Sequence, residues 1–339
     1  MSGTTLAYAG FVAFVLAALV IDLKVLHKDA HEVTTKEAAI TSACWVALAM
    51  IFAAGVFVVS GSEKGTYFVT GYLVEESLSV DNIFVFVLIF SFFAVPSAAQ
   101  HRVLFYGVLG AQIFRAIFIF AGVALIERFE FVIYIFGAFL IYSGLKMLRH
   151  DGEPVDPEHN RTLRLLRRAM PISDAYDGAK LFTREGSIDG VPQPGRRLAT
   201  PLFAVLVLIE VSDLVFAVDS IPAVIGIFPN ADAVDPFIVF TSNIFAILGL
   251  RALYFLLAGV VGKFHLLRVG LAAVLSFVGT KMLLTAVHVH INVFVSLAVI
   301  ALCIGGSVWA SLRWPKAEPP LPEGSLPADE DEASALPWR

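Results

Sequence analysis

The 339-residue chain is 58% hydrophobic and only 16% charged, whereas soluble domains are about half apolar and about a quarter charged. This composition, with a mean hydropathy of +0.80, excludes an ordinary soluble domain. The formal net charge of −5 comes from an acidic tail and from acids inside apolar segments, so it does not describe the short loops, which are basic on one side.

Apolar segments of about 20 residues recur along nearly the whole chain and predict an all-α polytopic membrane protein with about nine transmembrane helices. The N-terminus has no basic region and no clear cleavage site, so we expect a retained helix rather than a signal peptide. The tail at 315–339 is acidic and rich in proline, and we expect it to be disordered. The nine predicted spans are 6–25, 38–60, 67–95, 103–125, 131–148, 200–228, 237–260, 266–287 and 291–312.

Lysine and arginine are distributed unequally between the two sides of these spans. If the N-terminus lies outside, the outside loops hold only Lys64 and Arg128, and the inside loops hold the other loop bases. Because basic loops stay in the cytoplasm, we expect the N-terminus outside and the C-terminus inside. The longest inside loop, 149–197, contains a basic segment with interspersed leucines at 160–170. That segment is predicted either as an amphipathic helix on anionic lipid or as a solvated cytoplasmic helix.

Ionisable residues in the middle of the chain recur in the same order in two copies. Glu75 precedes Asp81 by six residues, and Asp213 precedes Asp219 by six. Three ordered matches indicate a duplication, with repeat one at 67–148 and repeat two at 200–287. Because an odd number of spans separates the copies, their topologies are opposite, as in many secondary transporters. The bases that follow at nearly constant spacing are Arg115 and Lys146 in the first copy, and Arg251 and Lys281 in the second.

Carboxylates inside apolar spans are costly, at about 2.5–3.5 kcal/mol for each central ionised group. The two copies contain six, which together would cost about 15–20 kcal/mol if all were ionised, central and unpaired. They must therefore be paired, protonated, hydrated or coordinated to a cation. The six acids are Glu75, Glu76, Asp81, Glu210, Asp213 and Asp219.

The side chains near these acids supply oxygen ligands without His or Cys. They include Ser79 and Asn82 in the first copy, and Ser212 and Ser220 in the second. Oxygen ligands suit Mg²⁺, Ca²⁺ or Mn²⁺, whereas Zn²⁺ and copper usually recruit imidazole or thiolate. Residues six apart lie on different sides of a straight helix. Convergence of the acids therefore requires several helices or an unwound segment, and we expect the sixth span to break or kink at Pro222.

The bases of the two copies also allow a structural interpretation, in which buried ion pairs only fix helix register. Buried pairs stabilise poorly, and six acids against four bases leave an excess of acid. We expect Arg115 and Arg251 to pair with the acids, and we favour structural or snorkelling roles for Lys146 and Lys281. Glu76 is the weakest candidate, because a leucine takes its place in the second copy.

Four segments resemble the TerC family, including its Alx-type members. They are ESLSVDNIFVF, ATPLFAVLVLIEVSDLVFAVDSIPAV, TSNIFAILGLRALYF and GTKML, and the resemblance spans about 38–314. It implies a multi-pass protein of a bacterial inner membrane, related to the LysE-like transporter superfamily. It also implies a role in metal homeostasis, chiefly Mn²⁺ export, with links to tellurite resistance and alkaline pH. The acidic transport residues of the family fall here on Glu75, Asp81, Glu210, Asp213 and Asp219.

These features predict a secondary transporter that exports Mn²⁺ from the cytoplasm in exchange for protons. The five acids would be metal ligands or proton carriers, with Ser79 and Asn82 as further oxygen donors. The expected partners are the metal ion, protons and the lipid bilayer. We expect no cofactor, nucleic acid or enzymatic activity, because the chain has no nucleotide-binding glycine motif and no nucleophile–base pair.

Two alternatives remain at this point. A cation channel fits the same carboxylates. A membrane scaffold that assembles with other proteins, as in tellurite resistance, fits the long loop at 149–197 and its basic segment.

Overall fold

The computed structural model describes residues 3–21, 34–129, 131–149, 161–188, 190–258, 264–285, 289 and 291–314, apart from the side chain of Asp81 and a few others. The tail at 315–339, which we predict to be disordered, lies outside these residues. The helices are α1 (Gly3–Ile21), α2 (Thr35–Ser60), α3 (Ser62–Phe92), α4 (Ser97–Arg128), α5 (Val132–Arg149), α6 (Arg161–Ala169), α7 (Pro201–Ile225), α8 (Pro236–Leu257), α9 (Leu267–Leu284) and α10 (Val293–Arg313). The strands are β1 (Phe182–Thr183), β2 (Ser187–Ile188), β3 (Val191–Pro192) and β4 (Leu198–Ala199).

Most of these helices have the length and composition of membrane spans. Among the described residues, seven are long and apolar enough to cross a bilayer, namely α2, α4, α5, α7, α8, α9 and α10, and α1 is apolar but shorter. The predicted all-α polytopic membrane fold is therefore confirmed. Each of the nine predicted spans coincides with one helix, and α6 lies in the long loop. The number of crossings and the outside position of the N-terminus stay predictions.

Short polar signals in the sequence set several helix ends. Thr34 accepts a hydrogen bond from the N–H of Glu37 at 3.3 Å and begins α2. Asp235 accepts from two N–H groups of the first turn of α8, where Pro236 needs no partner. Gly61 separates α2 from α3 with a φ of +90°, which a side chain would strain. Local signals in the sequence therefore set these three helix boundaries.

The break that the sequence suggested at Pro222 is absent. α7 continues through Pro222 to Ile225, so the prediction of a break is wrong, while the alternative prediction of a kink stays a prediction. The proline lies in the last turn, where it removes one hydrogen bond and little helix remains to be disturbed. Every residue from Ser220 to Ile225 is buried, and packed neighbours hold a proline-containing segment in helical form.

The two copies are interlocked rather than side by side. α3 of the first copy packs against α8 of the second, and α4 packs against α7. α5 touches α7, and α3 touches α9. The remaining pairs join equivalent helices, which are α3 with α7, α4 with α8, and α5 with α9. Exchanging the copies turns each of these pairs either into itself or into another pair of the same set, as expected for an inverted repeat.

The crossing of α5 and α9 displays the same exchange at residue level. A Cβ added at Gly137 would lie 2.9 Å from the carbonyl oxygen of Gly279, and one at Gly144 would lie 2.7 Å from that of Ala272. The GLKML and GTKML segments align Gly144 with Gly279, and the same offset aligns Gly137 with Ala272. Exchanging the copies therefore converts one contact into the other. The backbones approach this closely because glycine has no side chain.

Burial separates a central helix from peripheral ones. In α8, 89% of an apolar stretch of 18 residues is buried within the protein, against 17% of the corresponding stretch in α10. A helix that is apolar and buried all round belongs to the bundle interior. The polar residues of α8 are therefore placed to contact other helices and not lipid.

Residues 161–200, here called the loop unit, pack on one end of the bundle. β1 pairs with β4 and β2 with β3, both antiparallel. Leu163 of α6 is buried in a cluster with Phe93 after α3 and Leu202 of α7. The hydroxyl of Tyr176 donates to the carbonyl oxygen of Phe93 at 2.7 Å. The loop unit is thus attached where α3 ends and α7 begins.

Polar contacts order the turn that precedes β1. Lys180 and Thr183 donate to the carboxylate of Asp177 and hold its pKa below the usual value. The guanidinium of Arg197 lies 4.4 Å from the ring centre of Phe182, a favourable cation–π distance. The apolar side of α6 faces the bundle through Leu163, while Leu165 is exposed. Both predicted roles for α6, on lipid or in solvent, stay open.

Candidate functional site

A buried cluster of charged side chains joins the two copies inside the bundle. Arg115 of α4 donates to both carboxylate oxygens of Asp213 on α7, with 2.9 Å from Nη2 to Oδ1 and 3.2 Å from Nε to Oδ2. Its Nη1 also forms an ion pair with Oε1 of Glu75 on α3. Glu75 and Arg115 are 0% exposed and Asp213 is 2% exposed. These three residues, here called the triad, link equivalent acids of the two copies through one guanidinium.

Three amide and hydroxyl groups complete the hydrogen bonding of the triad. Asn243 of α8 donates to Oε2 of Glu75 at 2.8 Å. Asn82 of α3 donates to Oδ1 of Asp213 at 3.5 Å. The Oγ of Ser220 accepts from Nη1 of the arginine at 3.2 Å. Three of the four carboxylate oxygens therefore accept hydrogen bonds, and the fourth, Oε1 of Glu75, is held by its ion pair with Arg115, so that both buried charges are compensated.

Small residues bring the helices of the triad together. A Cβ at Gly71 of α3 would lie 2.8 Å from Oγ of Ser242 on α8, and one at Gly107 of α4 would lie 3.2 Å from Cγ2 of Ile209 on α7. A cavity of about 10 Å³ adjoins Asp213, which is room for about one water. The triad is consequently closed, and a cation would need Arg115 to move before it could reach both acids.

Asp219 lies apart from the triad. Its Oδ1 accepts a hydrogen bond from Oγ of Ser143 on α5 at 2.8 Å, and the ammonium of Lys146 is a favourable electrostatic neighbour. Six residues of helix place Asp219 on a different side of α7 from Asp213. The sequence-predicted acids therefore divide between two environments on one helix.

Glu210 lies three residues before Asp213, on the same side of α7. Its carboxylate rests against Gly110 of α4, where any Cβ would overlap it. The buried Oε2 of Glu210 has no hydrogen-bond donor among the described residues. The glycine leaves just enough space for this carboxylate between α4 and α7.

Of the two other candidate acids of α3, Glu76 and Asp81, only Glu76 has a side chain that the structure describes. The side chain of Asp81 lies outside the described part of the structure, so its predicted role as a ligand stays a prediction. Glu76 makes a hydrogen bond with Tyr72, one turn earlier. Ser79 is fully buried, and its Oγ has no partner within the described residues.

The three remaining predicted bases lie in different surroundings. Arg251 is 5% exposed on α8, next to α3 and α4. Lys281 is 2% exposed and donates to the carbonyl oxygen of Ile227, directly after α7. Ile227 lies in the turn that follows α7, and the contact gives its carbonyl a hydrogen-bond donor. Lys146 is exposed near the end of α5.

The described side chains do not assemble a metal centre in this arrangement. Among them, no three His, Cys, Asp or Glu residues lie close enough together to hold a metal ion. The guanidinium of Arg115 instead occupies the space between Glu75 and Asp213. The donor set around it consists of carboxylate, amide and hydroxyl oxygens, which suit hard divalent cations.

Comparison with known proteins places the chain in a family. The model of the integral membrane protein TerC family matches residues 60–318. The chain belongs to the TerC family. It is 53% identical over 305 residues to an uncharacterized membrane protein of Myxococcus xanthus, covering 90% of this chain and 91% of that one. No solved structure matches it.

Two further relatives have names that state a role or a location. This TerC-family chain is 45% identical over 308 residues to the "Putative membrane-bound redox modulator Alx" of Escherichia coli strain K12, covering 88% of this chain and 91% of the relative. It is 41% identical over 282 residues to the chloroplastic thylakoid membrane protein TERC of Arabidopsis thaliana, covering 83% and 70%. Its relatives therefore include membrane proteins of bacteria and of a chloroplast.

Sequence reasoning missed two residues of this TerC-family site. Asn243 binds Glu75 from α8, and Ser143 binds Asp219 from α5. Asn243 carried a usable signal, because it is an amide in an apolar span eight residues before Arg251. Ser143 carried almost none, since serines are common in membrane helices and often bond to their own backbone.

Proposed function

We propose that this TerC-family chain is a secondary transporter, and not an enzyme, that exports Mn²⁺ from the cytoplasm in exchange for protons. Glu75, Asp81, Asp213 and Asp219 would bind the metal or carry protons, with Glu210 beside them. Ser79 and Asn82 would add oxygen donors. The metal ion is the transported substrate and not a resident cofactor.

One observation carries the proposal. Glu75 and Asp213, which the sequence predicts to be equivalent acids of two inverted copies, meet in a buried space between α3, α4 and α7. Sites between inverted repeats near the middle of the membrane are where secondary transporters bind substrate, because the two halves can rock around them. Intramembrane acids are costly and buried ion pairs stabilise a fold poorly, so a purely structural role does not account for these two acids.

The chemistry of the site supports exchange. A pair of carboxylates accepts either one divalent cation or protons, and each neutralises the same charge. Arg115 now supplies the compensating charge, so a cation binds both acids only when the guanidinium is displaced. The acids are therefore always bound either to the guanidinium or to the cation, and they are never buried without a compensating positive charge. This mutual exclusion prevents a leak through the site.

The decisive experiment measures Mn²⁺ flux in proteoliposomes that contain a pH-sensitive dye. We expect wild-type protein to move Mn²⁺ with opposite proton movement. Glu75→Gln and Asp213→Asn should each reduce this flux at least about tenfold, because each removes a charged ligand. Glu127→Gln is the matched control, since Glu127 is an exposed acid near the end of α4. Equal flux in all four proteins would remove the triad from the mechanism.

The same assay separates cargo and mechanism. Competition by Mg²⁺ and Ca²⁺ ranks the three hard cations, which differ in preferred coordination number and cavity size. Saturable flux that depends on the proton gradient supports the exchanger. Flux that does not saturate and proceeds without proton movement would support a cation channel. Absent flux in folded wild-type protein would contradict both.

A membrane scaffold is the second candidate, and the loop unit favours it. Residues 161–200 form an ordered unit with an open cavity of about 560 Å³, lined in part by Arg167, Arg168 and Arg196. Such a surface could hold another protein. Replacing 161–199 by a flexible linker should abolish a scaffold function while Asp213→Asn leaves it intact. If the chain is a transporter, Asp213→Asn should impair its function more than the replacement of 161–199 does.

A further inference from the structure

The triad is asymmetric although its two acids are symmetric. Exchanging the copies converts Glu75 into Asp213 and Asp213 into Glu75, so the acid pair maps onto itself. The same exchange converts Arg115 into Arg251. In this structure Arg115 contacts both acids. An equivalent arrangement therefore exists in which Arg251 contacts both.

The polar neighbours follow the same exchange. Ser220, which accepts from Arg115 at 3.2 Å, corresponds to Asn82 in the first copy. The Oδ1 of Asn82 is buried and has no donor among the described residues. A buried acceptor without a donor is costly. An arginine from α8 that donated to this Oδ1 would make the counterpart of the contact between Arg115 and Ser220. Arg251 is itself buried on α8, which packs against α3.

We infer that Arg115 and Arg251 are positioning residues that alternately hold the Glu75–Asp213 pair in the two states of the transporter. In the present state Arg115 makes a bidentate pair with Asp213, an ion pair with Glu75 and a hydrogen bond to Ser220. In the exchanged state Arg251 makes a bidentate pair with Glu75, an ion pair with Asp213 and a hydrogen bond to Oδ1 of Asn82. The inference rests on the proposed transport, because it describes what holds the site between cation-bound steps.

The geometry makes the two occupations exclusive. Within the described structure three of the four carboxylate oxygens accept hydrogen bonds, and the fourth, Oε1 of Glu75, is held by its ion pair with Arg115. A second guanidinium would add an uncompensated positive charge in a dry space, which is strongly unfavourable. Each arginine therefore enters only as the other leaves, and a cation is admitted between the two.

The test uses metal-free protein in nanodiscs and measures hydrogen exchange at the two ends of the bundle. One end is reported by the loop unit, held by Tyr176 on Phe93. The other is reported by residues 62–66 and 231–236, joined by the 2.6 Å pair of Lys64 and Asp235. Arg115→Gln should shift the protein toward the exchanged state and Arg251→Gln toward the present state. The two variants should change exchange at the two ends in opposite directions, by about tenfold for loss of a hydrogen bond to a charged group.

A milder matched pair protects the test against misfolding. Ser220→Ala removes the acceptor that Arg115 uses here at 3.2 Å. Asn82→Ala removes the acceptor that Arg251 would use, together with the longer 3.5 Å contact that Asn82 now makes with Asp213. These should shift exchange in opposite directions as well, by less. Shifts in the same direction, or none in folded protein, would overturn the inference, because a merely structural ion pair loosens both ends together. Since no metal is present, opposite shifts without Mn²⁺ flux would contradict the proposed cargo and leave the alternation standing.

Discussion

The crossing of α5 and α9 gives a quantitative prediction about the interlocked repeats. In Gly279→Ala the added methyl would lie 2.5 Å from the carbonyl oxygen of Gly137 and 2.9 Å from Cγ1 of Ile141. The first of these neighbours is backbone and cannot rotate away, so the two helices must separate. Overpacking costs about 1–3 kcal/mol, and a backbone neighbour places this case near the upper end.

The same substitution also has a favourable effect that must be subtracted. Alanine is preferred over glycine inside a helix by about 1 kcal/mol. Gly279→Ala should therefore lower the free energy of unfolding by a net of about 2 kcal/mol. Gly305→Ala on α10 is the matched control, because its added methyl would meet nothing within 4 Å. The control should be neutral or stabilising by about 1 kcal/mol.

The inverted repeat adds a second requirement. Gly144 is the counterpart of Gly279 and approaches the carbonyl oxygen of Ala272, so Gly144→Ala should be destabilising in the same range. The double variant should cost less than the sum of the two, because one separation of α5 and α9 relieves both overlaps. The assay is reversible unfolding in mixed detergent micelles. If Gly279→Ala matched Gly305→Ala within about 0.5 kcal/mol, the close crossing described here would be refuted.

Three other perturbations follow from single contacts. Lys281→Met should destabilise the fold by about 1–3 kcal/mol by leaving the buried carbonyl of Ile227 unpaired, as unfolding in micelles would reveal. Lys36→Met, at an exposed lysine in the first turn of α2, should change the stability by less than about 0.5 kcal/mol. Tyr176→Phe removes the hydroxyl that holds Phe93, and hydrogen exchange should accelerate in the loop unit while that of α8 stays unchanged; acceleration in both would indicate global loosening instead. The carboxylate of Asp177 has a lowered pKa, so the stabilisation that it gives the turn is complete above the unfolded value of 3.8 and is lost as the pH falls through the lower folded value. A carbon-13 NMR titration of the carboxyl groups, assigned with Asp177→Asn, would contradict this if Asp177 titrated at or above the unfolded value.

Much of the fold was available from the sequence because hydrophobic length and charge spacing report directly on membrane helices. The nine apolar segments correspond to nine helices. Helix ends were less accurate, and α4 begins at Ser97, six residues before the predicted span. The polar residues Gln100, His101 and Arg102 stopped the hydropathy signal there, although they continue the helix beyond the apolar part.

The candidate site was predictable in its residue types and less so in its geometry. Helical periodicity correctly indicated that acids six residues apart do not share a side, and Asp213 and Asp219 indeed have different partners. It could not say which acids an arginine would join, because that depends on which helices touch. The expected break at Pro222 failed for a related reason, since the packing that holds the last turn of α7 is invisible in a local pattern.

In the proposed alternation, the differences between the copies determine how the two states compare in energy. Asn243 holds Glu75 at 2.8 Å, whereas glycine occupies the equivalent position, Gly107, in the first copy. Asn82 and Ser220 are equivalent but offer an amide in one copy and a hydroxyl in the other. A perfectly symmetric repeat would populate its two states equally, and a transporter with equal states has no resting side. Gly107, the equivalent residue on α4, cannot replace the hydrogen bond from Asn243 to the acid pair. The free energies of the two proposed states should therefore differ by about the strength of one hydrogen bond to a charged acceptor, about 1.5–3 kcal/mol. Under the proposed alternation, Asn243→Ala should therefore shift the balance away from the Arg115 arrangement without removing either arginine, and the hydrogen-exchange assay described above for the two ends of the bundle would measure that shift.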